Sequence, residues 1–361
     1  MTANQDEYRI ERFTLDKSNR SEAIEVMRAA YLTNDPDEGG TISFTEDSFH
    51  ILCESPAIPK DLFVRAIHVP TGKMVGFLGS TPRTLHFKGK KYKAAFPGFL
   101  AVDPAHRRNG LAMKMGVELF QLGRKYDYEA WFALYEPEAH GINTAQAFER
   151  EQGLPYIVVL PLEKYLIRVF NVTKAKRIIK LKWYEALGLN LLKHVRFSPS
   201  GKVRLMKKKD IGPIIDLMDD HRERNEFALT RDEDDLRWFL TQPGIVCVVH
   251  TADDGRVDGF IAAWQFNIAG FGNKEPFGWI DLIHAYKLNK KEGRALCEGL
   301  CYYAREKGWL GLQTPLIPYI NQISFKAARF VDFPKGLILV LHPLVDLPDF
   351  KEASSYYFDW R

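Results

Sequence analysis

The stretch Phe99-Leu100-Ala101-Val102-Asp103-Pro104-Ala105-His106-Arg107-Arg108-Asn109-Gly110-Leu111-Ala112 collects the groups best suited to holding an anion. An apolar strand stops at Asp103-Pro104, a basic loop follows, and Leu111 opens a segment with helical apolar spacing. The first amides of a helix have no acceptor within it, and the positive end of its dipole lies beside them. This order of elements therefore aims several donors at one point beyond a strand end, as a phosphate requires. Gly110 lets a phosphate come close to the backbone, and Arg107 and Arg108 add charge. The stretch lacks the Gly-Lys-Ser/Thr ending of a nucleoside triphosphate loop and the glycine spacing of a dinucleotide fingerprint.

Acid–base groups cluster elsewhere. Tyr135 follows the apolar segment Trp131–Leu134, and Glu136, Glu138 and His140 come just after it. The aromatic end Tyr356-Tyr357-Phe358-Asp359-Trp360-Arg361 reads as docked against the protein. Asp35, Asp37, Glu38, Glu46 and Asp47 form an acidic stretch that would attract a cationic amine. Cys297 and Cys301 stand one helical turn apart without an accompanying His, so they read as core residues, and no metal site is expected.

The elements that must position these groups recur. Gly72-Lys73-Met74-Val75-Gly76-Phe77 aligns with Gly255-Arg256-Val257-Asp258-Gly259-Phe260. The same offset sets Arg107 on Lys290, Gly110 on Gly293, Ala112 on Ala295, Gly116 on Gly299 and Gly153 on Gly336. In each half, strands with turn signals alternate with amphipathic helices. The fold class expected is α/β of the α+β kind: two tandem domains, each a mixed, mainly antiparallel sheet flanked by helices. Residues 1–165 form the first domain, 166–202 a basic helical connector, and 203–361 the second domain with a C-terminal tail. Lys164 to Lys209 holds 14 Lys and Arg against the single acid Glu185, although the whole chain is only +4. There Ile179, Trp183, Leu187 and Leu191 recur every fourth residue, which predicts an amphipathic helix packed on one face.

The six residues Arg107-Arg108-Asn109-Gly110-Leu111-Ala112 match the signature Arg/Gln-x-x-Gly-x-Gly/Ala, and the chain here resembles the GNAT acetyltransferase superfamily over about residues 8–165, more weakly over 203–345. The resemblance implies acetyl-CoA as cofactor. The amides of Arg108, Asn109, Gly110, Leu111 and Ala112 would hold its pyrophosphate with help from Arg107. Leu100, Ala101 and Val102 would pair with the pantetheine arm, and Asn143 would contact the cofactor. The second copy reads Lys290-Lys291-Glu292-Gly293-Arg294-Ala295, and its Glu292 opposes a pyrophosphate, so that domain is expected to keep the fold with weakened or lost cofactor binding. The family's usual acid, a Tyr, is replaced here by Glu149 within Phe148-Glu149-Arg150-Glu151-Gln152-Gly153. Tyr135 is then the candidate acid. Glu136 or His140 is a candidate base, as is the C-terminal carboxylate of Arg361, which some multidomain relatives use.

The function these readings imply is an acetyl-CoA-dependent N-acyltransferase, a tandem GNAT enzyme acting on an amine of a small molecule or peptide by direct attack, with its active site in the first domain. Two alternatives stand beside it: a CoA-binding sensor without turnover, suggested by the missing Tyr, and a longer-chain acyltransferase resembling the two-domain N-myristoyltransferases. Composition narrows the field further. The 361 residues are 46% hydrophobic and 27% charged, enough for packed cores and unlike a disordered chain. No apolar run approaches the roughly 18–20 residues of a membrane span. The basic stretch lacks the interleaved aromatics of a single-strand binder, which argues against nucleic acid. Four scattered cysteines and a polar N-terminus point to the cytoplasm.

Overall fold

The computed structural model describes residues 7–32, 39–137, 140–199 and 201–360. In chain order its elements are β1 (Tyr8–Phe13), α1 (Arg20–Leu32), β2 (Thr41–Ser43), α2 (Glu46–Cys53), β3 (Phe63–His68), β4 (Lys73–Phe87), β5 (Lys90–Val102), α3 (Leu111–Lys125), β6 (Ala130–Tyr135), α4 (His140–Gln152), β7 (Ile157–Leu162) and β8 (Tyr165–Val169). There follow α5 (Val172–Ala175), α6 (Trp183–Leu192), β9 (Val203–Leu205), α7 (Ile211–Arg224), β10 (Phe227–Thr230), α8 (Glu233–Leu240), β11 (Ile245–Thr251), β12 (Val257–Gly270) and β13 (Asn273–His284). The last are α9 (Lys290–Glu306), β14 (Gly311–Pro315), α10 (Gln322–Ala327), β15 (Val331–Phe333), β16 (Leu337–Pro343) and β17 (Tyr356–Phe358). This is the expected mixed α/β class, with two sheets flanked by helices.

The chain divides into two compact units that interleave in sequence. One gathers Phe44–Pro161 and Leu337–Glu352 with the N-terminal elements β1 and α1. The other gathers Leu162–Gly336, β2 and the closing residues from Ala353 on. Within the expected connector, Leu166–Val169 belong to β8, a strand of the second unit's sheet between β15 and β14.

In the first unit the strand order is β1-β3-β4-β5-β6-β16-β7. The long hairpin β4–β5 turns at Lys88 and Gly89, both with positive φ. On α3, Leu111, Met115, Leu119 and Leu122 fall on one face and are buried with Leu62, Val64, Val75 and Trp131. Gly116 of α3 lies against Phe148 of α4, where a Cβ would collide with the ring. That contact is the physical content of one glycine in the repeat.

In the second unit the order is β15-β8-β14-β13-β12-β11-β9, with β2 added alongside β12. All seven residues of β11 are buried, as its near-continuous apolar sequence requires. β10 and β17 pair in parallel, Phe227 with Tyr356 through Leu229 with Phe358. Beside them Arg231, Asp281 and Asp359 have fully buried side chains. Arg231 Nη2 donates to Asp281 at 3.2 Å, and its backbone amide donates to Asp359 at 3.0 Å. The amide of Trp360 donates to Asp281 at 3.0 Å, and Tyr357 donates its hydroxyl proton to Asp359. Burial alone would lower the pKa of the Arg231 guanidinium. The carboxylates of Asp281, Asp359 and Asp235 outweigh that and hold it above the ordinary arginine value. Breaking a buried pair strands a charge in a dry interior, so Arg231→Met is expected to cost about 3–5 kcal/mol of stability. Urea unfolding followed by circular dichroism checks this, and an unchanged midpoint would show that the cluster is not anchoring the chain end.

Candidate active site

The phosphate-type loop is where the sequence places it, between β5 and α3. The carboxylate of Asp103 caps the short turn Pro104–His106 by accepting from the amide of Ala105 at 2.9 Å. Arg108 (φ 65°) and Gly110 (φ 70°) both take the left-handed conformation, and Gly110 precedes the first turn of α3. Among the described residues no side chain caps that helix, so its leading amides keep their donor capacity. Nothing lies within 4 Å of where a Cβ on Gly110 would sit, so the approach is open. Arg108 is exposed beside it, while the Leu111 side chain is buried and anchors the helix start. Ala112 is half-buried on the same first turn.

Two other residues of this loop work as struts. Arg107 Nη2 donates to the carbonyl of Ala30 at 2.8 Å and its Nε to that of Val102 at 3.4 Å, which ties the loop to α1 and to the end of β5. Asn109 Nδ2 donates to the Tyr8 hydroxyl at 3.1 Å and to the His106 carbonyl at 3.2 Å. Two nitrogens of the Arg107 guanidinium are thus directed to backbone carbonyls.

A second feature carries no sequence motif. Phe77 pairs with Ala101 and Gly79 with Gly98, so Leu78 faces the two residues Phe99 and Leu100. This is a β-bulge, and Phe99 sits in it with φ 66°, uncommon for a bulky residue. Its ring is fixed edge-on against Phe44 and Phe49, each with centroids 5.7 Å away. Next to the bulge, β5 and β6 pair only at Ala94–Ala130 and Ala95–Trp131, whereas β6 pairs with β16 along its whole length. The stretch of β5 containing Leu100, Ala101 and Val102 is therefore not paired with β6, which leaves that side of the strand without a ladder partner on β6.

Tyr135 ends β6. Its hydroxyl stands 3.4 Å from His342 Nε2 on β16, and His342 Nδ1 is 3.1 Å from the carbonyl of Pro155. A carbonyl only accepts, so Nδ1 carries the imidazole proton and Nε2 accepts from Tyr135. Burial lowers the His342 pKa to about 4, against the raising effects of the Pro155 carbonyl and Glu149. Burial, reinforced by Tyr156, raises that of Tyr135, so the phenol keeps its proton at neutral pH. No motif in the sequence singles out His342; only its place in an apolar strand marks it. Glu136 is exposed just beyond Tyr135. Asn143 is exposed within the first turns of α4, which begins at His140. Arg361, Glu138, the side chain of His140 and most of the acidic stretch, 34–38, fall outside the described residues.

The corresponding helix start in the second unit is closed. Asn289 accepts from the amides of Lys291 and Glu292, and Glu292 returns a bond to the Asn289 amide at 3.0 Å. Gly293 lies against Ser324, leaving no room for a Cβ. A wide apolar groove of about 530 Å³ in the first unit, lined by Ile157, Leu341 and Leu344–Pro348, lies at the opposite end of β6 from the loop. Among the described residues no group of His, Cys, Asp or Glu could hold a metal ion, and no helix is long and apolar enough to cross a membrane.

Residues 14–134 match the family model of the acetyltransferase (GNAT) domain. The glycylpeptide N-tetradecanoyltransferase of Plasmodium falciparum (isolate 3D7) is 22% identical over 264 residues, 72% of this chain and 60% of its own length. That of Eremothecium gossypii is 22% identical over 244 residues, 64% of this chain and 49% of its own. The chain thus spans less than two thirds of these relatives. Saccharomyces cerevisiae N-myristoyltransferase with bound myristoyl-CoA and inhibitors superposes with a TM-score of 0.75 at 17% identity, over 94% of this chain and 81% of that one. A second structure of it with bound myristoyl-CoA gives 0.74 at 18%, over 96% and 81%. The tandem fold is therefore shared along nearly the whole chain.

Two measurements probe this site. Gly110→Glu is expected to abolish CoA binding by calorimetry, because it sets bulk and negative charge at the uncapped helix start. Asn289→Ala should leave that affinity unchanged while lowering stability by about 1 kcal/mol; a matching loss of CoA binding would show that the second loop takes phosphate. A buried His with a lowered pKa binds its proton less readily folded than unfolded. Its stabilising share is therefore full above about pH 6.5 and lost as the pH falls toward 4. Denaturant midpoints should drop over that interval, and less steeply in His342→Leu; identical slopes would mean that His342 is not held neutral.

Proposed function

From a GNAT domain over residues 14–134 set in the fold of the N-myristoyltransferases, we propose that the chain is a CoA-dependent N-acyltransferase that moves a long acyl chain to the amine of a glycyl N-terminus on a peptide. The observation that carries this reading is the extent of the likeness. Both the curated relatives and the structural neighbours are myristoyl-transferring enzymes by name, and the structural match runs through both units. That favours the longer-chain alternative over acetyl-CoA as the donor.

The chain's own groups fit each requirement of the reaction. The amides opening α3, with Arg108, hold the pyrophosphate of the acyl-CoA substrate. The open edge of β5 at Leu100–Val102 takes the pantetheine arm as an added strand. The amides of Phe99 and Leu100, at the bulge beside this edge, are the donors assigned to the oxyanion that forms when the amine attacks the thioester carbonyl. The C–N bond forms, the C–S bond breaks, and the leaving thiolate takes a proton from Tyr135. The amine must be neutral to attack, and Glu136 is the base the described residues offer; the carboxylate of Arg361 is the other candidate.

Turnover against acyl-CoAs from two to sixteen carbons, with peptides bearing Gly or another residue first, tests the proposal. Higher kcat/KM for long chains and for N-terminal Gly is expected; preference for acetyl-CoA and small amines would return the enzyme to the acetyltransferase reading. Tyr135→Phe should lower kcat roughly 10²-fold or more with CoA affinity unchanged, and an unchanged kcat would remove it as the acid.

A further inference from the structure

The basic stretch after β8 is absorbed by nothing above. Its every-fourth-residue pattern predicts a helix packed on its apolar side, and the structure reverses this. Within α6, Trp183, Leu187 and Leu191 are 78%, 55% and 70% exposed, and Tyr184 is 51% exposed. At roughly 100° per residue these four side chains fall within one arc of about 100°. Ala186, off one flank of that arc, is the buried residue. A half-exposed Phe271, at the tip of the β12–β13 hairpin, extends the stripe. Phe271, Ile179, Leu181 and Trp183 share an open groove of about 560 Å³ with Lys176 and Lys180.

Charge surrounds this apolar strip on both sides. Lys174, Lys176, Arg177, Lys180 and Lys182 precede the helix, Lys193 and Arg196 follow it, and Glu185 is the only acid from 174 to 196. The patch is also firmly mounted on the second unit. The amide of Gly40 donates to the Ile178 carbonyl at 3.1 Å, Asn273 Nδ2 to that of Arg177 at 3.2 Å, and Lys174 pairs with Glu275 at 2.8 Å.

We infer that α6 and the Phe271 tip form a membrane-surface anchor for bilayers rich in anionic phospholipid. An exposed Trp and Tyr beside Leu side chains, flanked at both ends by lysines long enough to reach headgroups, is the arrangement of a helix lying in an interface. The charge complement selects anionic lipid, and the apolar stripe separates this surface from one that merely binds a soluble polyanion. The assignment rests on the second unit's surface alone and stands whether or not the acyltransfer reading holds.

The test uses the full chain in co-sedimentation with vesicles of phosphatidylcholine alone and of phosphatidylcholine mixed with phosphatidylserine. Expected is binding to the mixed vesicles only, weakened by salt. Leu187→Glu with Leu191→Glu, and separately Lys176→Glu with Lys180→Glu, should each reduce it roughly tenfold or more. These side chains are exposed, so unchanged circular dichroism and thermal midpoints accompany the loss. A blue shift of tryptophan fluorescence on binding, absent in Trp183→Phe, would place that ring in the interface. Failure to bind the mixed vesicles overturns the proposal, as does binding that the leucine pair leaves unchanged. A concentration-dependent dimer abolished by the leucine pair, without vesicle binding, would assign the stripe to self-association and overturn it as well.

Discussion

The candidate site depends on a neighbouring strand pair that stops pairing. β5 and β6 run parallel and meet at two residues, Ala94 and Ala95 against Ala130 and Trp131. An interrupted ladder leaves backbone donors and acceptors that must find partners elsewhere. β6 solves this on its other side by pairing with β16 along its length. β5 retains an open edge next to its bulge and just before the uncapped start of α3. One divergence thus sets an edge of β5 that β6 leaves unpaired, the bulge at Phe99 and the start of α3 in succession, the order in which the proposed acyl-CoA substrate would meet them.

The second unit builds the same divergence and fills it from within. β13 and β14 also pair at only two residues, Gly278 with Leu312 and Trp279 with Gln313. Its bulge falls at Asp281, between the partners of Ala262 and Ala263. There the carboxylate of Asp281 takes the amide of Trp360, and the Trp360 ring packs against Trp279 with centroids 5.7 Å apart. The helix start that would receive phosphate is satisfied by Asn289 and Glu292. In the second unit the divergence is thus occupied by the chain's own segment Tyr357–Trp360.

How much of this the sequence discloses depends on whether a feature is local. The loop from Val102 to Ala112 is local, and its strand, turn and helix are legible from Asp103-Pro104, the glycine and the apolar period. The tandem repeat is legible from glycines that prove to be contact points, such as Gly116 against Phe148. The charge of Arg107 is legible, whereas its bond to the Ala30 carbonyl joins residues far apart in sequence. The bulge at Phe99 is invisible because a phenylalanine with positive φ is imposed by tertiary packing against Phe44 and Phe49. His342 and Tyr135 meet because β16 crosses back into the first unit's sheet, and no local pattern encodes that return. The period of Trp183, Leu187 and Leu191 is right, but period alone does not say which side of a helix the protein covers.

The buried cluster at Arg231 gives the interleaved design its physical sense. A guanidinium and two carboxylates removed from water cost more in desolvation than simple attraction returns, and apolar residues of the same volume would often be as stable. What such a group does provide is a sharp penalty for partial assembly. If the segment Tyr357–Trp360 leaves, Asp359 departs with it, Asp281 loses the Trp360 amide, and Arg231 is left with one of its two close carboxylates in a dry interior. Intermediate positions of the chain end are therefore poor, and the docked one is selected. A slot that kept an open edge would invite unrelated extended chains. Closing the second unit's divergence with charges that one segment satisfies in one register keeps that edge from pairing with another chain.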